Sequence, residues 1–194
     1  MTTRRDFLKT MTMASAGLAL GAGDILANPT FASQRKITDK VKIAYVGIGN
    51  RGEQIIGDFA RTGMVEVVAL CDVDMGAPHT QKVMNLYPKA KRFRDFRQMF
   101  DKAGNEFDAV AIATPDHSHF PISMLALASG KHVYVEKPLA RTFYEGELLM
   151  QAALKRPNLV TQVGNQGHSE ANYFQFKAWM DAGIIKDVTA GTAH

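Results

Sequence analysis

Short, nearly continuous apolar runs recur along the chain at Val41 to Val46, Val65 to Cys71, Ala109 to Ala113, Val133 to Val135 and Leu159 to Val163. Runs of this length with few polar interruptions predict strands buried on both faces of a parallel sheet. Between them the period changes. Ile55, Ile56 and Phe59 fall on one face at one-turn spacing, which predicts a helix from Gly52 to about Arg61. Further helices are predicted over Gln81 to Leu86, Phe96 to Asp101, Phe120 to Ala128, Phe143 to Lys155 and Ser169 to Asp181, the last ending at Gly183. Thr142 and Glu145 stand three residues apart at the beginning of the helix over Phe143 to Lys155, the spacing of a capping box. Alternating strand and helix joined by short turns predicts the α/β class, a doubly wound, Rossmann-type parallel sheet with right-handed crossovers.

The first strand runs into Gly47-Ile48-Gly49-Asn50-Arg51-Gly52, a G-x-G-x-x-G between strand and helix. In that place each glycine has a physical reason. Gly47 makes a tight turn, Gly49 lets a diphosphate approach the backbone, and Gly52 lets helix and strand pack closely. With Asn50 and Arg51 between them, the helix N-terminus offers unbonded N–H groups to a diphosphate. Asp72 lies 20 residues after Gly52, at the end of the second apolar run. A carboxylate there accepts hydrogen bonds from the adenosine ribose and repels a 2′-phosphate, which points to NAD over NADP. Polar functional groups follow the other strands as well: Thr114-Pro115-Asp116-His117-Ser118-His119, Glu136-Lys137-Pro138 and Gly164-Asn165-Gln166. The opposite strand ends carry plainer residues such as Lys40, Gly63 and Lys131. Ligands of such sheets bind outside the carboxyl ends of the strands, so the lopsided chemistry marks the binding side.

Composition removes several alternatives. With 46% apolar and 22% charged residues among 194, the chain is neither disordered nor fibrous. Its single cysteine, Cys71, permits no internal disulfide and no cysteine-rich zinc site. His117 and His119 alternate on one loop and the other histidines are scattered, so no metal site is expected. The net charge of +4 comes from basic residues dispersed among acidic ones, which points to no nucleic-acid partner. Phe174, Phe176 and Trp179 are expected to serve as core or interface, and Cys71 to pack.

Thr3-Arg4-Arg5-Asp6-Phe7-Leu8-Lys9 resembles the twin-arginine export signal of bacteria, and residues 1–32 are therefore set apart from the fold, with 33–40 as a linker. The uncharged stretch that follows, Thr10 to Gly23, has fourteen residues. At about 1.5 Å per residue it falls short of a hydrocarbon core roughly 30 Å thick, so it makes no stable membrane span. The resemblance implies recognition by the twin-arginine export machinery and a periplasmic or otherwise exported protein that folds around its cofactor in the cytoplasm.

Residues Thr114 to Ala140, with Gly47 to Gly52, Cys71-Asp72-Val73-Asp74 and Gly164-Asn165-Gln166, closely resemble the signature of the Gfo/Idh/MocA oxidoreductases. The resemblance implies a Rossmann domain over 41–164 that binds NAD, with 165–194 as the start of a second, substrate-binding α/β domain. It implies that Lys137 sits beside the nicotinamide and assists proton transfer at a substrate hydroxyl. Glu136, Thr114, Pro115, His117, Asn165 and Gln166 would line the cofactor, and His119 would fix the loop between strand and helix. The Lys137–Pro138 peptide is often cis in this family, in keeping with the weak trans preference of X-Pro bonds. Desolvation and a nearby nicotinamide cation would disfavour the charged form of Lys137.

Three readings follow from the resemblance. The first is an exported NAD-dependent oxidoreductase acting on a secondary alcohol of a sugar, glycoside or polyol, a homo-oligomer in its full-length form. The second is an NAD-dependent glycoside hydrolase similar to the α-N-acetylgalactosaminidase branch, and the third is a non-catalytic nucleotide-binding module. Because the sequence stops at His194, where the second domain's first strand is expected, the chain is expected to bind NAD weakly and not to turn over substrate unaided.

Overall fold

A computed structural model describes residues 40–167 and 170–192. The Thr3 to Lys9 export pattern, the residues up to 32 and the linker as far as Asp39 lie outside the described residues, as do His168 and Ser169.

Six strands form one sheet: β1 (Val41–Val46), β2 (Val65–Cys71), β3 (Lys91–Phe93), β4 (Ala109–Ile112), β5 (His132–Glu136) and β6 (Thr161–Gly164). Their spatial order is β3-β2-β1-β4-β5-β6, and every pairing is parallel. The helices are α1 (Arg51–Arg61), α2 (Pro78–Leu86), α3 (Phe96–Ala103), α4 (His119–Ala128), α5 (Phe143–Leu154) and α6 (Ala171–Asp181). This is the doubly wound Rossmann arrangement.

Alternation along the central strand explains the two layers. Ile43 and Tyr45 of β1 point into one core, with Ile55 and Ile56 of α1 and Val83 and Met84 of α2. Ala44 and Val46 point into the other, with Met99 of α3, Ile122 and Leu127 of α4 and Leu149 of α5. Burying a side chain of valine, leucine or isoleucine size fully contributes about 1.5–3 kcal/mol, so such positions fix their strand's register.

Several expectations need revision. The strand β3 falls outside the predicted elements; it is three residues long, and its Lys91 and Arg92 are exposed at the sheet edge. Charge on an edge strand discourages pairing with other chains, and it also erases the apolar pattern that would reveal a strand. At the opposite edge β6 is buried on neither face over Thr161 and Gln162, contrary to the two-sided burial predicted. Helix α2 begins three residues early because Pro78 occupies its first turn, where a missing N–H costs nothing. No residue of α6 is buried, and Phe174, Phe176 and Trp179 are 58, 53 and 43% exposed, so they form no part of the core among the described residues. Among those residues no helix is long and apolar enough to cross a membrane.

Candidate functional site

The carboxyl ends of β1 and β4 adjoin at the point where the strand order reverses, and the turn after β1 opens there. Gly47 takes φ 80° and donates its N–H to the Cys71 carbonyl at 2.8 Å. A Cβ on Gly47 would overlap the backbone of Ala113, and one on Gly52 would overlap the Gly47 carbonyl oxygen. These two glycines therefore seat α1 against the strand ends. A Cβ on Gly49 would strike the imidazole of His79, which covers that glycine from the start of α2. Nothing in the spacing of His79 announces this role; the one hint is Pro78, which marks a helix start soon after β2.

Asp72 is committed to the same turn. One carboxylate oxygen accepts the Ile48 N–H at 2.9 Å and the other accepts the Asp74 N–H at 3.0 Å. Each oxygen has a second lone pair, so the carboxylate can still receive a ribose hydroxyl. No side chain caps the N-terminus of α1, and its N-cap residue Asn50 has φ 46°. The Gly52 N–H is taken by the Gly49 carbonyl at 2.9 Å, which leaves the N–H groups of Arg51 and Glu53 for an anion. Together Gly47, Gly49, Asn50, Asp72, His79, Thr114, Pro115 and His117 line a cleft of about 610 Å³.

A second cavity of about 270 Å³ is walled by Arg51, Ala113, Thr114, Glu136, Lys137 and Gln166, so Ala113 and Thr114 belong to both spaces. Glu136 is only 4% exposed. A buried carboxylate needs compensation. Its Oε1 takes the Arg51 Nη2 at 2.9 Å and the Tyr134 hydroxyl at 3.1 Å. The carboxylate holds the Arg51 guanidinium more firmly in its charged form, while burial and then the Glu136 charge push the Tyr134 hydroxyl up to about 12. Gly164 abuts the same oxygen: a Cβ there would overlap both Tyr134 and Glu136.

Lys137 is exposed at the rim of this cavity, and its peptide to Pro138 is cis. The desolvation expected around its ammonium is therefore not furnished by the described residues. His119 lines neither cavity. It is 1% exposed, with Nδ1 2.6 Å from the Pro138 carbonyl oxygen and Nε2 2.8 Å from that of Thr114. It lies beneath the site and ties the loop after β4 to the loop after β5, the fixing role the resemblance implies. Asn165 is exposed just past β6, next to Gln166, but does not line either cavity.

Two buried polar atoms on the second cavity's walls, Thr114 Oγ1 and Arg51 Nε, have no hydrogen-bond partner among the described residues. Orphaned groups of this kind are costly unless something else meets them. An uncapped helix end, a glycine turn, a ribose-accepting carboxylate and these orphaned atoms fit a dinucleotide lying across both spaces. Cys71, by contrast, is buried, and its thiol is pushed up to about 12 by that burial, which suits packing. Among the described residues no group of three or more His, Cys, Asp or Glu could hold a metal ion.

Residues 41–164 match the Gfo/Idh/MocA family, an oxidoreductase family with an NAD-binding Rossmann fold. The inositol 2-dehydrogenase of Salmonella typhimurium is 30% identical over 147 residues, covering 75% of this chain and 43% of that protein. The alpha-N-acetylgalactosaminidase of Shewanella oneidensis is 29% identical over 161 residues, covering 73% of this chain and 35% of that protein. The structure of scyllo-inositol dehydrogenase from Lactobacillus casei with bound NAD(H) and scyllo-inositol aligns with a TM-score of 0.68 at 28% identity. The alignment covers 78% of this chain and 44% of that one. The chain thus spans less than half the length of these relatives.

Proposed function

Since the chain belongs to the Gfo/Idh/MocA family of NAD-binding oxidoreductases, we propose that it forms the cofactor half of an exported enzyme acting on a secondary alcohol of a sugar, glycoside or polyol. The observation that carries this reading is the adjacency of the two spaces: the Lys137 cavity shares Thr114 with the cleft of the glycine turn. The inositol dehydrogenases among its relatives support a polyol or sugar as substrate.

When bound, the nicotinamide supplies the hydride acceptor or donor. The chain's own residues bind and orient. The open end of α1 meets the diphosphate, Asp72 accepts the adenosine ribose and disfavours a 2′-phosphate, and Glu136 and Thr114 hold the nicotinamide half. Lys137 Nζ holds or moves the proton of the substrate hydroxyl, and His119 keeps the Thr114 and Lys137 loops in register from below. Further acid, base and substrate-binding groups come from a second domain in this reading, and the full-length protein is a homo-oligomer. The Thr3 to Lys9 pattern supports export after cofactor loading, with the cofactor held tightly and reoxidised in place.

A second reading, a redox-neutral glycoside hydrolase, is favoured by the α-N-acetylgalactosaminidase relative. Product analysis separates the two: a keto product with reduced cofactor identifies the dehydrogenase, and a free sugar with no net redox change identifies the hydrolase. For the cofactor, protein purified from the cytoplasm is denatured and the released nucleotide identified. NAD is expected, and NADP overturns the role given to Asp72.

A further inference from the structure

Arg51 is the first residue of α1 and so belongs to the diphosphate side of the fold, yet its guanidinium reaches across to the end of β5. Its Nη2 holds Glu136 at 2.9 Å and its Nη1 holds Gln54 at 3.0 Å. Glu136 ends β5, directly before Lys137, and its side chain is 5% exposed against 35% for Arg51. Tyr134 donates to the same Glu136 oxygen, and Gly164 closes against it, so the carboxylate is fixed from three sides. Of these three only Arg51 brings a charge, and a buried carboxylate left without one is strongly disfavoured. The forked guanidinium also sets direction, because its two commitments fix its plane in a way a single ammonium cannot.

We propose that Arg51 is a positioning residue for the reaction: it sets Glu136, and through it the Lys137 loop, and it does not serve as a charge for the cofactor diphosphate. The inference rests on the reading of the Lys137 cavity as the nicotinamide half of the site. It makes the glycine turn and the reacting end of the site mechanically one unit, with α1 as the link.

The test compares NAD⁺ with ADP, which carries the diphosphate but no nicotinamide, as titrants of the purified chain. The variants are Arg51→Gln, Arg51→Lys, Glu136→Gln and the Arg51→Gln/Glu136→Gln double, each checked for its thermal unfolding midpoint. Arg51→Gln is expected to weaken NAD⁺ about tenfold and leave ADP within about twofold. Adding it to Glu136→Gln is expected to cost less than about threefold more, because the two side chains act as a pair. Equal losses for NAD⁺ and ADP, or losses that multiply in the double variant, overturn the proposal. Should Arg51→Gln fail to fold, Arg51→Lys decides alone. If the charge serves the diphosphate, the ammonium preserves it and both affinities stay level, which overturns the proposal, whereas a lost fork weakens NAD⁺ selectively. A wild-type chain that binds NAD⁺ no more tightly than ADP overturns the reading of the cavity and the inference with it. Wild-type discrimination accompanied by equal losses for both titrants in Arg51→Gln overturns the inference alone.

Discussion

Helices α1 and α5 both begin a few residues past the carboxyl end of a strand, and the two beginnings are finished in opposite ways. At α5 the Thr142 hydroxyl accepts the Glu145 N–H at 3.2 Å, and the Glu145 carboxylate accepts the N–H groups of Thr142 at 3.1 Å and Arg141 at 3.0 Å. That end is closed by its own capping box. At α1 no side chain of the described residues reaches back, Asn50 sits at positive φ, and Gly49 precedes it. The orphan donors of a helix start are met in part by side chains at α5, while at α1 only the Gly52 N–H finds an acceptor, the Gly49 carbonyl, and its neighbours are kept for a ligand. A sealed end contributes to folding alone, and an open one couples folding to occupancy.

The contrast can be broken most severely at Gly52. Gly52→Ala places a methyl group on the Gly47 carbonyl oxygen, pushing α1 off the strand ends. A loss of about 3 kcal/mol in urea unfolding is expected from the overpacking, together with NAD binding below detection. Retained NAD affinity would show that the close seat of α1 is not needed for binding. Asn50→Asp tests the open end without crowding it. A carboxylate beside the diphosphate should weaken NAD about tenfold, roughly 1.4 kcal/mol, while the helix itself gains a few tenths of a kcal/mol from its dipole. Titration calorimetry and thermal melting should therefore move in opposite directions. At the sealed end Thr142→Ala should cost about 1 kcal/mol of stability and leave NAD affinity unchanged. Glu145→Gln keeps an acceptor oxygen but removes the charge near the helix start, so a loss of about 0.5 kcal/mol is expected, again with no change in binding. A fall in NAD affinity in either variant would erase the distinction between the two ends.

Legibility followed the same division. The capping box of α5 is local, four residues reporting on one another, and Thr142 with Glu145 reveals it from spacing alone. The glycine turn is local too, since Gly47 and Gly52 are dictated by contacts within a few residues and with the adjoining Ala113 loop. Buried strands announce themselves by nearly continuous apolar runs, so β1, β2, β4 and β5 are readable. What could not be read is what forms only on folding. Arg51 and Glu136 are 85 residues apart in the chain, and neither carries a pattern that names the other. His79 reaches Gly49 from the first turn of α2, which starts at Pro78. The strand β3 is hidden by the charges that protect its exposed edge, and the apolar side chains of α6 suggest burial that the described residues do not provide.

The order of the strands has a further consequence for how the molecule comes into being. β1 pairs with β2 on one side, and its other partner, β4, appears in the chain only after α2, β3 and α3 have been made. During synthesis the glycine turn emerges early and waits, with one wall missing, until β4 docks and brings Thr114 beside it. Pairings that span such sequence distances carry a loop-closure penalty and form late. Ability to hold a nucleotide is thus a late event in the life of the nascent chain, and it reports that the long crossover has closed correctly.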